Sequence, residues 1–465
     1  MRIVILGGGP TGLGAAWRLN ELGHEDWVIC EANEYWGGLS ASFQDSSGFV
    51  WDFGGHVLFS HYQYFDHVVD TLFDEPDGWL VHNREAWIWM QNRFIPYPLQ
   101  NNIHKLPEQV YWECLEGIID IQQTPSQKRP RHFGEWVQAT FGQGLAKWFL
   151  TPYNYKVWAY PLDCLAWSWV GERVAPVSLK QILKNAVFQN GDTRWGPNAK
   201  FRFPAYGGTG AIWKDIASKL PVQKSHLNKK VVAIDTKKRV VRFSGNRTES
   251  YDILLNTFAL TDFVKLADID GPLSKKSKLK YSATHVVGLA LNGDPPEALA
   301  SKCWIYFPEN DCPFYRVTVF SNYSPNNVPD INSQWSLMCE VSESQVKKVD
   351  ASTVVEDVIQ GALNTGLIRD RSSIDHTWHR FEKKTYPTPS ITRDEYLITL
   401  QAQLKNNNIY SRGRFGAWKY EVGNMDHSFM QGVEFVNSCM GYAEELTLWY
   451  PGIVNKPHPG GGKRW

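Results

Sequence analysis

Arg2-Ile3-Val4-Ile5-Leu6-Gly7-Gly8-Gly9-Pro10-Thr11-Gly12-Leu13-Gly14-Ala15-Ala16-Trp17-Arg18-Leu19 decides the fold of this chain. Arg2 to Leu6 is β-branched and aliphatic, as an interior strand is. Three glycines follow at once, and Leu13 to Leu19 then reads as a helix. In a strand-turn-helix unit Gly7 serves the tight turn, Gly9 lets the backbone approach a pyrophosphate, and Gly12 permits close packing of helix on strand. The helix N-terminus then faces the phosphates. A second strand, Trp27 to Cys30, ends in Glu31, at the distance where an acid meets the ribose hydroxyls of an adenine dinucleotide. A glycine-rich turn in an unrelated α/β protein has no reason to carry that acid, so the context makes the fingerprint specific. The expected class is α/β, starting from a Rossmann-like domain.

NAD and FAD share this fingerprint, and the residues after Glu31 separate them. Tyr35-Trp36-Gly37-Gly38-Leu39-Ser40 resembles the second glycine pair that large two-domain flavoproteins place beside the FAD pyrophosphate, and which NAD dehydrogenases usually lack. Trp51-Asp52-Phe53-Gly54-Gly55-His56 resembles the loop that such proteins run along the isoalloxazine edge, where glycines let backbone groups reach the ring. FAD is the expected cofactor. By itself His56 reads equally as a satisfied loop histidine or as a group at the ring edge.

With 465 residues the chain exceeds what one hydrophobic core usually serves, so about two or three subdomains are expected. Lysine plus arginine and aspartate plus glutamate both number 48, so no global field draws the protein to nucleic acid or anionic lipid. Its partners are expected to be small molecules. The 21 tryptophans suit an interior built around flat ligands and suit ordinary aromatic packing equally. Seven cysteines without a C-x-x-C pair read as reduced thiols. Residues 1 to 6 lack the basic start and cleavage site of a signal peptide, and no apolar run reaches membrane-spanning length, so a cytoplasmic location is expected. The sequons at Asn246 and Asn322 are then chance matches. No metal is expected.

Along the chain, Glu85 to Phe94 is β-like and leads into the turn Ile95-Pro96-Tyr97-Pro98-Leu99-Gln100-Asn101-Asn102. Val110 to Gln122, Phe133 to Phe141 and Leu145 to Phe149 show helical spacing. Lys229 to Phe243 alternates as a hairpin, and Ser282 to Ser342 with Ile374 to Phe381 is rich in β-branched and aromatic residues. Gly432 to Tyr450 reads as helix, and Pro457 to Trp465 as a locally disordered tail. These signals predict an FAD-binding domain of residues 1–66, 200–255 and 410–465, a helical insert domain of 100–199, and an antiparallel β-sheet substrate domain of 67–99 and 256–409.

Several blocks then become specific enough to carry a resemblance. They include Gly54-Gly55-His56-Val57 with Phe59-Ser60-His61-Tyr62, Pro152-Tyr153-Asn154-Tyr155-Lys156-Val157-Trp158, Gly171-Glu172-Arg173-Val174 and Trp195-Gly196-Pro197-Asn198. Cys303-Trp304-Ile305-Tyr306-Phe307-Pro308, Pro313-Phe314-Tyr315-Arg316, Ser321-Asn322-Tyr323-Ser324, Tyr386-Pro387-Thr388-Pro389 and Trp418-Lys419-Tyr420-Glu421-Val422-Gly423-Asn424 follow in order. Across nearly its whole length the chain resembles the UDP-galactopyranose mutases, of the eukaryotic type. The resemblance implies a redox-neutral isomerisation of UDP-galactopyranose and UDP-galactofuranose, in which N5 of reduced FAD attacks the anomeric carbon and displaces UDP. It implies catalytic roles for Arg173 and Arg316 as a diphosphate clamp and for His56 beside the flavin, where positioning the ring is a better reading than proton abstraction.

By the same resemblance, Tyr306, Tyr323, Tyr386, Tyr420 and Asn424 surround the diphosphate, while Asn198 and Trp304 lie near the sugar. Tyr97, Gln100, Phe149, Tyr153, Asn154 and Trp158 match the uridine end. Gly7, Gly9, Gly12, Glu31, Gly38, Gly55 and Arg414 carry over as FAD contacts, and Arg84 with Tyr97 as contacts to NADPH, the implied reductant. Three departures stand out. Ala86 replaces a hydroxyl residue beside Arg84, so weaker NADPH binding is expected; Leu99 replaces an aromatic residue, and Met425 a glutamine. The rival readings are a mutase of another nucleotide-linked pyranose, an amine-oxidase-like flavin oxidase, and a silent sugar-nucleotide binder. An oxidase has no use for two arginines and four tyrosines around a diphosphate.

Overall fold

Ile3–Leu6 (β1) is buried at all four positions because it lies inside a parallel sheet covered on both faces. In the computed structural model, which describes residues 1–73, 77–125, 128–191, 199–269, 279–456 and 462–465, β1 pairs with Trp27–Cys30 (β2) on one side and Ile253–Asn256 on the other. Ser225–His226 and Ile409–Ser411 form the edges. Alternate residues of a strand face opposite ways. Ile3 and Ile5 therefore meet the helices Pro10–Glu21 (α1), Gly210–Ser218 and Met425–Cys439, while Val4 and Leu6 meet Leu260–Leu266 and Arg393–Lys405. Such a strand has no polar face, which is why its sequence is a continuous apolar run.

The two helices in the second of those layers belong to the 256–409 stretch that the sequence reading gave to the substrate sheet. Leu260, Phe263, Leu397, Leu400 and Leu404 instead bury their apolar stripe against β1 and its neighbours. The expected hairpin near 229–243 is present as Val231–Asp235 with Val240–Phe243.

A second sheet has seven strands in the order Ile374–Thr388, Lys280–Asn292, Gln334–Glu343, Arg316–Val319, Trp304–Tyr306, Ala86–Met90, Arg93–Pro96. Its pairings are antiparallel except Trp304–Tyr306 with Ala86–Met90, which is parallel. Ala86–Met90 arrives from far upstream, so no hairpin constrains its direction. The central strand Lys280–Asn292 is covered on both faces: Val287, Leu289 and Leu291 pack on the helix Val354–Asn364, and Val286 and Ala290 on Phe49 and Trp51.

The helical layer comprises Glu108–Gln123, Phe133–Leu145, Thr151–Trp158 and Leu179–Phe188. Phe133, Val137 and Phe141 fall at four-residue intervals on one face of their helix and are buried in its core. Two expectations near the C-terminus change. The helix there is Met425–Cys439, earlier and shorter than 432–450. Residues 457–461 of the supposed disordered tail lie outside the described residues, but 462–465 are docked: the Arg464 amide donates to the His61 carbonyl at 2.9 Å, and the Trp465 ring lies 5.3 Å from that of Tyr64.

Candidate active site

Between the two sheets and the helical layer lies a cavity of about 780 Å³. At one end it is lined by Gly7, Gly9, Glu31 and Gly38. Gly7 has φ +107°, in the region that glycine tolerates. A Cβ on Gly12 would stand 1.9 Å from the Gly7 carbonyl oxygen, so α1 is seated directly on the turn; Gly12 acts through that packing and does not itself line the cavity. On Gly9, in contrast, a Cβ would meet nothing nearer than 3.9 Å, from the Gly37 carbonyl and Gly38 Cα. The space before the N-terminus of α1 is thus open and flanked by the second glycine pair. The Glu31 carboxylate is fixed at the end of β2 by the amides of Gly8 at 2.6 Å and Asn33 at 2.8 Å, and each oxygen keeps a further lone pair.

Midway, Gly55 and His56 line the wall. Burial, then the charge of Arg316, lowers the His56 pKa to about 4, so its ring is neutral at physiological pH. Its Nδ1 has no partner. The Gly55 amide donates to Glu340 Oε1 at 3.1 Å. Glu340 also accepts Arg316 Nε at 2.7 Å and Nη2 at 2.9 Å, and the Tyr315 hydroxyl at 2.6 Å. One buried carboxylate therefore orients both the histidine loop and an arginine. Sequence reasoning missed Glu340 and gave Tyr315 no role. An acid inside the apolar run Met338-Cys339-Glu340-Val341 was the available signal, since such a residue is rarely buried unpaired.

The far end is electropositive. Arg173 donates weakly to the Tyr420 carbonyl at 3.4 Å, stands over the Tyr420 ring at 5.3 Å, and leaves Nη1 without a partner. Arg414 donates to the carbonyls of Thr385 and Gly423 and lies 5.1 Å from the Tyr386 ring; burial lowers its pKa. No carboxylate pairs with Arg173 or Arg414 among the described residues. Trp304, Tyr306, Tyr386, Tyr420 and Asn424 share this wall with Arg84 and Tyr97. Burial raises the Tyr306 and Tyr386 pKa values, so these phenols stay protonated donors. Asn424 is the N-cap of Met425–Cys439, yet its side chain makes no capping bond, which spares the amide for a ligand.

Other expected substrate contacts stand behind the wall. Gln100 donates to the Ala175 carbonyl and Asn154 to the Leu150 carbonyl, each at 2.7 Å. Phe149 is stacked on Tyr153, whose ring meets Tyr306 edge-on at 5.3 Å. Trp158 meets Tyr420 edge-on at 4.8 Å. Tyr323 is fully buried among Phe201, Phe203 and Phe320, its hydroxyl without a partner. None of these lines the cavity, because each side chain is taken up by the core behind it. Asn198 lies outside the described residues. Of the three departures, Met425 lines the cavity, Leu99 is buried in the helical core, and Ala86 is 2% exposed beside Trp304.

Comparison with known proteins adds to this geometry. A model of the NAD(P)-binding Rossmann-like domain matches residues 5–74. A crystal structure of reduced UDP-galactopyranose mutase is 46% identical, covering 100% of this chain and 98% of that chain, with a TM-score of 0.95. A putative protoporphyrinogen oxidase from Exiguobacterium sp. 255-15 is 15% identical over 95% of this chain and 99% of its own, with a TM-score of 0.70. Putrescine oxidase is 12% identical over 95% and 99%, with a TM-score of 0.63. The last two share the fold alone.

Proposed function

The chain belongs to the UDP-galactopyranose mutase family, and from that premise we propose that its cavity interconverts UDP-galactopyranose and UDP-galactofuranose with FAD bound. The observation that carries this reading is the continuity of one cavity from a dinucleotide cradle to three guanidinium groups: Arg173 and Arg414, with no carboxylate partner among the described residues, and Arg316, oriented by Glu340. FAD fits the first part: the open face of Gly9, the flanking Gly38 and the fixed Glu31 carboxylate suit a pyrophosphate and a ribose. Reduced FAD supplies, when bound, an electron-rich nitrogen nucleophile for the anomeric carbon.

Arg173 and Arg316 hold the diphosphate of the substrate, with Tyr306, Tyr386, Tyr420 and Asn424 donating to its oxygens. Negative charge grows there as the sugar bond breaks, and cations already in place stabilise it without reorganisation. Guanidinium suits this role because it stays charged and binds two oxygens at once. Arg414, which lines the cavity beside the Tyr386 ring, adds charge on the cofactor side. A neutral His56 orients groups by hydrogen bonding and takes up no proton until the medium is strongly acidic. Tyr97 contacts the uridine directly, and Gln100, Phe149, Tyr153, Asn154, Trp158 and Tyr323 shape the wall from behind, with Trp304 and Asn198 near the sugar. NADPH is the reductant, held by Arg84 and Tyr97. The test is incubation of dithionite-reduced protein with UDP-galactofuranose followed by chromatography. UDP-galactopyranose is expected; no conversion of any UDP-hexose overturns the reading.

A further inference from the structure

Residues 53–62 link the strand Val50–Asp52 to the helix Gln63–Asp70 and put His56 and Phe59 on the cavity wall. Besides the Arg464 amide at the His61 carbonyl and the Tyr62 hydroxyl at Thr447, three attachments hold the loop near the cavity. Gly55 donates to Glu340, and Leu58 exchanges backbone bonds of 3.1 and 2.9 Å with Arg202. At the third, His61 gives two donors to one oxygen: its backbone amide and its Nδ1 lie 3.0 and 2.6 Å from Asp426 Oδ2. Asp426 is 1% exposed and sits in the first turn of Met425–Cys439, beside the cavity residues Asn424 and Met425. The Phe59 ring stands edge-on to His61 at 5.6 Å.

We propose that His61 and Asp426 are positioning residues: a tether, anchored on a buried carboxylate, that fixes the Phe59 and His56 segment relative to the helix start that carries Asn424. A charge-assisted bond between a buried carboxylate and a partly buried imidazole resists displacement, and losing the His61 imidazole takes one of the two His61 donors from Asp426 Oδ2. Together with the fully buried His427, these residues bring possible metal-ligand atoms within 4.8 Å of one another. The two His61 donors account for Asp426 Oδ2, while Asp426 Oδ1 faces His427 Nδ1 at 3.3 Å. The catalytic consequence rests on the placement of His56 beside the flavin given above; the mechanical one does not.

The experiment compares His61→Ala with His61→Asn, whose amide can donate where Nδ1 does. Hydrogen exchange of a peptide covering 53–62, measured on the holoprotein without substrate, is expected to accelerate in the alanine variant and return towards wild type in the asparagine variant. In the reduced enzyme, kcat is expected to fall roughly tenfold to a hundredfold with His61→Ala, as a small misplacement of a reacting group does, while KM stays within about twofold because the arginine clamp is untouched. In a His56→Ala background that loss is expected to shrink. Unchanged loop exchange, a change confined to KM, or failure of asparagine to restore either readout overturns the tether. Should His61→Ala not fold, Asp426→Asn, which keeps an acceptor but loses the charge, carries the same comparison. A wild-type protein that does not turn over contradicts the mutase reading instead, and loop exchange alone then decides this inference.

Discussion

Arg316 and Glu340 show how much one residue pair determines. Glu340 engages Nε and Nη2 of Arg316, which turns the remaining edge of the guanidinium to the cavity. Lysine keeps the charge and loses both the fork towards Glu340 and the bidentate grip on phosphate. Arg316→Lys is therefore expected to lower kcat/KM roughly tenfold or more, measured as product formed by the dithionite-reduced enzyme; near-normal turnover would move Arg316 out of contact with the diphosphate. The arginine was legible from its motif. Glu340 was not, because nothing in a single sequence says which distant strand an acid faces. A second expectation concerns acid. Burial lowers the His56 pKa to about 4 and the His427 pKa to about 3, against 6.5 for a free histidine. Above about pH 6.5 both states are neutral. As the pH falls from there towards 4, the unfolded chain binds protons that the folded chain refuses, and stability declines. His427→Gln is expected to flatten the fall in urea midpoint between about pH 7 and 4.5, a window above the ordinary range of carboxylates; an unaltered slope shows that His427 is not the source.

At the scale of elements, the strand-turn-helix unit was legible because its signals are local. Four apolar residues, a glycine turn and a helix lie within about twenty positions, and the structure places β1, the turn and α1 as read. Gly12→Ala tests the unit. A methyl group 1.9 Å from the Gly7 carbonyl oxygen must push α1 off the turn, so FAD is expected to be lost and the protein to be colourless or insoluble. A yellow protein with normal flavin content would show that the turn adapts. Partners far apart in sequence were harder to read. Arg393–Lys405 was not read as a helix from its sequence, and its burial of Tyr396, Leu397, Leu400 and Leu404 against the parallel sheet depends on partners distant in the chain. Likewise Ala86–Met90 reads as a strand, while its parallel pairing with Trp304–Tyr306 depends on a chain path that local residues do not encode.

For the whole molecule, the decisive question is where the electrons enter. An isomerisation leaves substrate and cofactor at their original oxidation levels, so oxygen and reductant should not be consumed in step with product; stoichiometric peroxide would favour an oxidase. A reductant is needed only to prepare the flavin. Arg84 lines the cavity beside Tyr97, 5.7 Å from its ring, and suits the phosphate of NADPH. Ala86 is the neighbour whose hydroxyl is missing, and its carbonyl accepts the Tyr97 amide at 3.0 Å. One lost hydrogen bond to a charged group costs about 1.5 to 3 kcal/mol, or roughly tenfold to somewhat over a hundredfold in affinity. NADPH is therefore expected to reduce the bound flavin without oxygen present, but with weak affinity and a diminished preference over NADH, while dithionite supports full turnover. Ala86→Ser is expected to tighten NADPH binding by roughly tenfold, and Arg84→Ala to abolish the preference for the phosphorylated cofactor. Because Ala86 is nearly buried, the serine variant is the sharper arm: an unchanged affinity means that residue 86 does not face the nicotinamide cofactor. If neither nicotinamide bleaches the flavin while dithionite restores turnover, electrons reach this enzyme from a separate reductase, and Arg84 serves the sugar nucleotide alone.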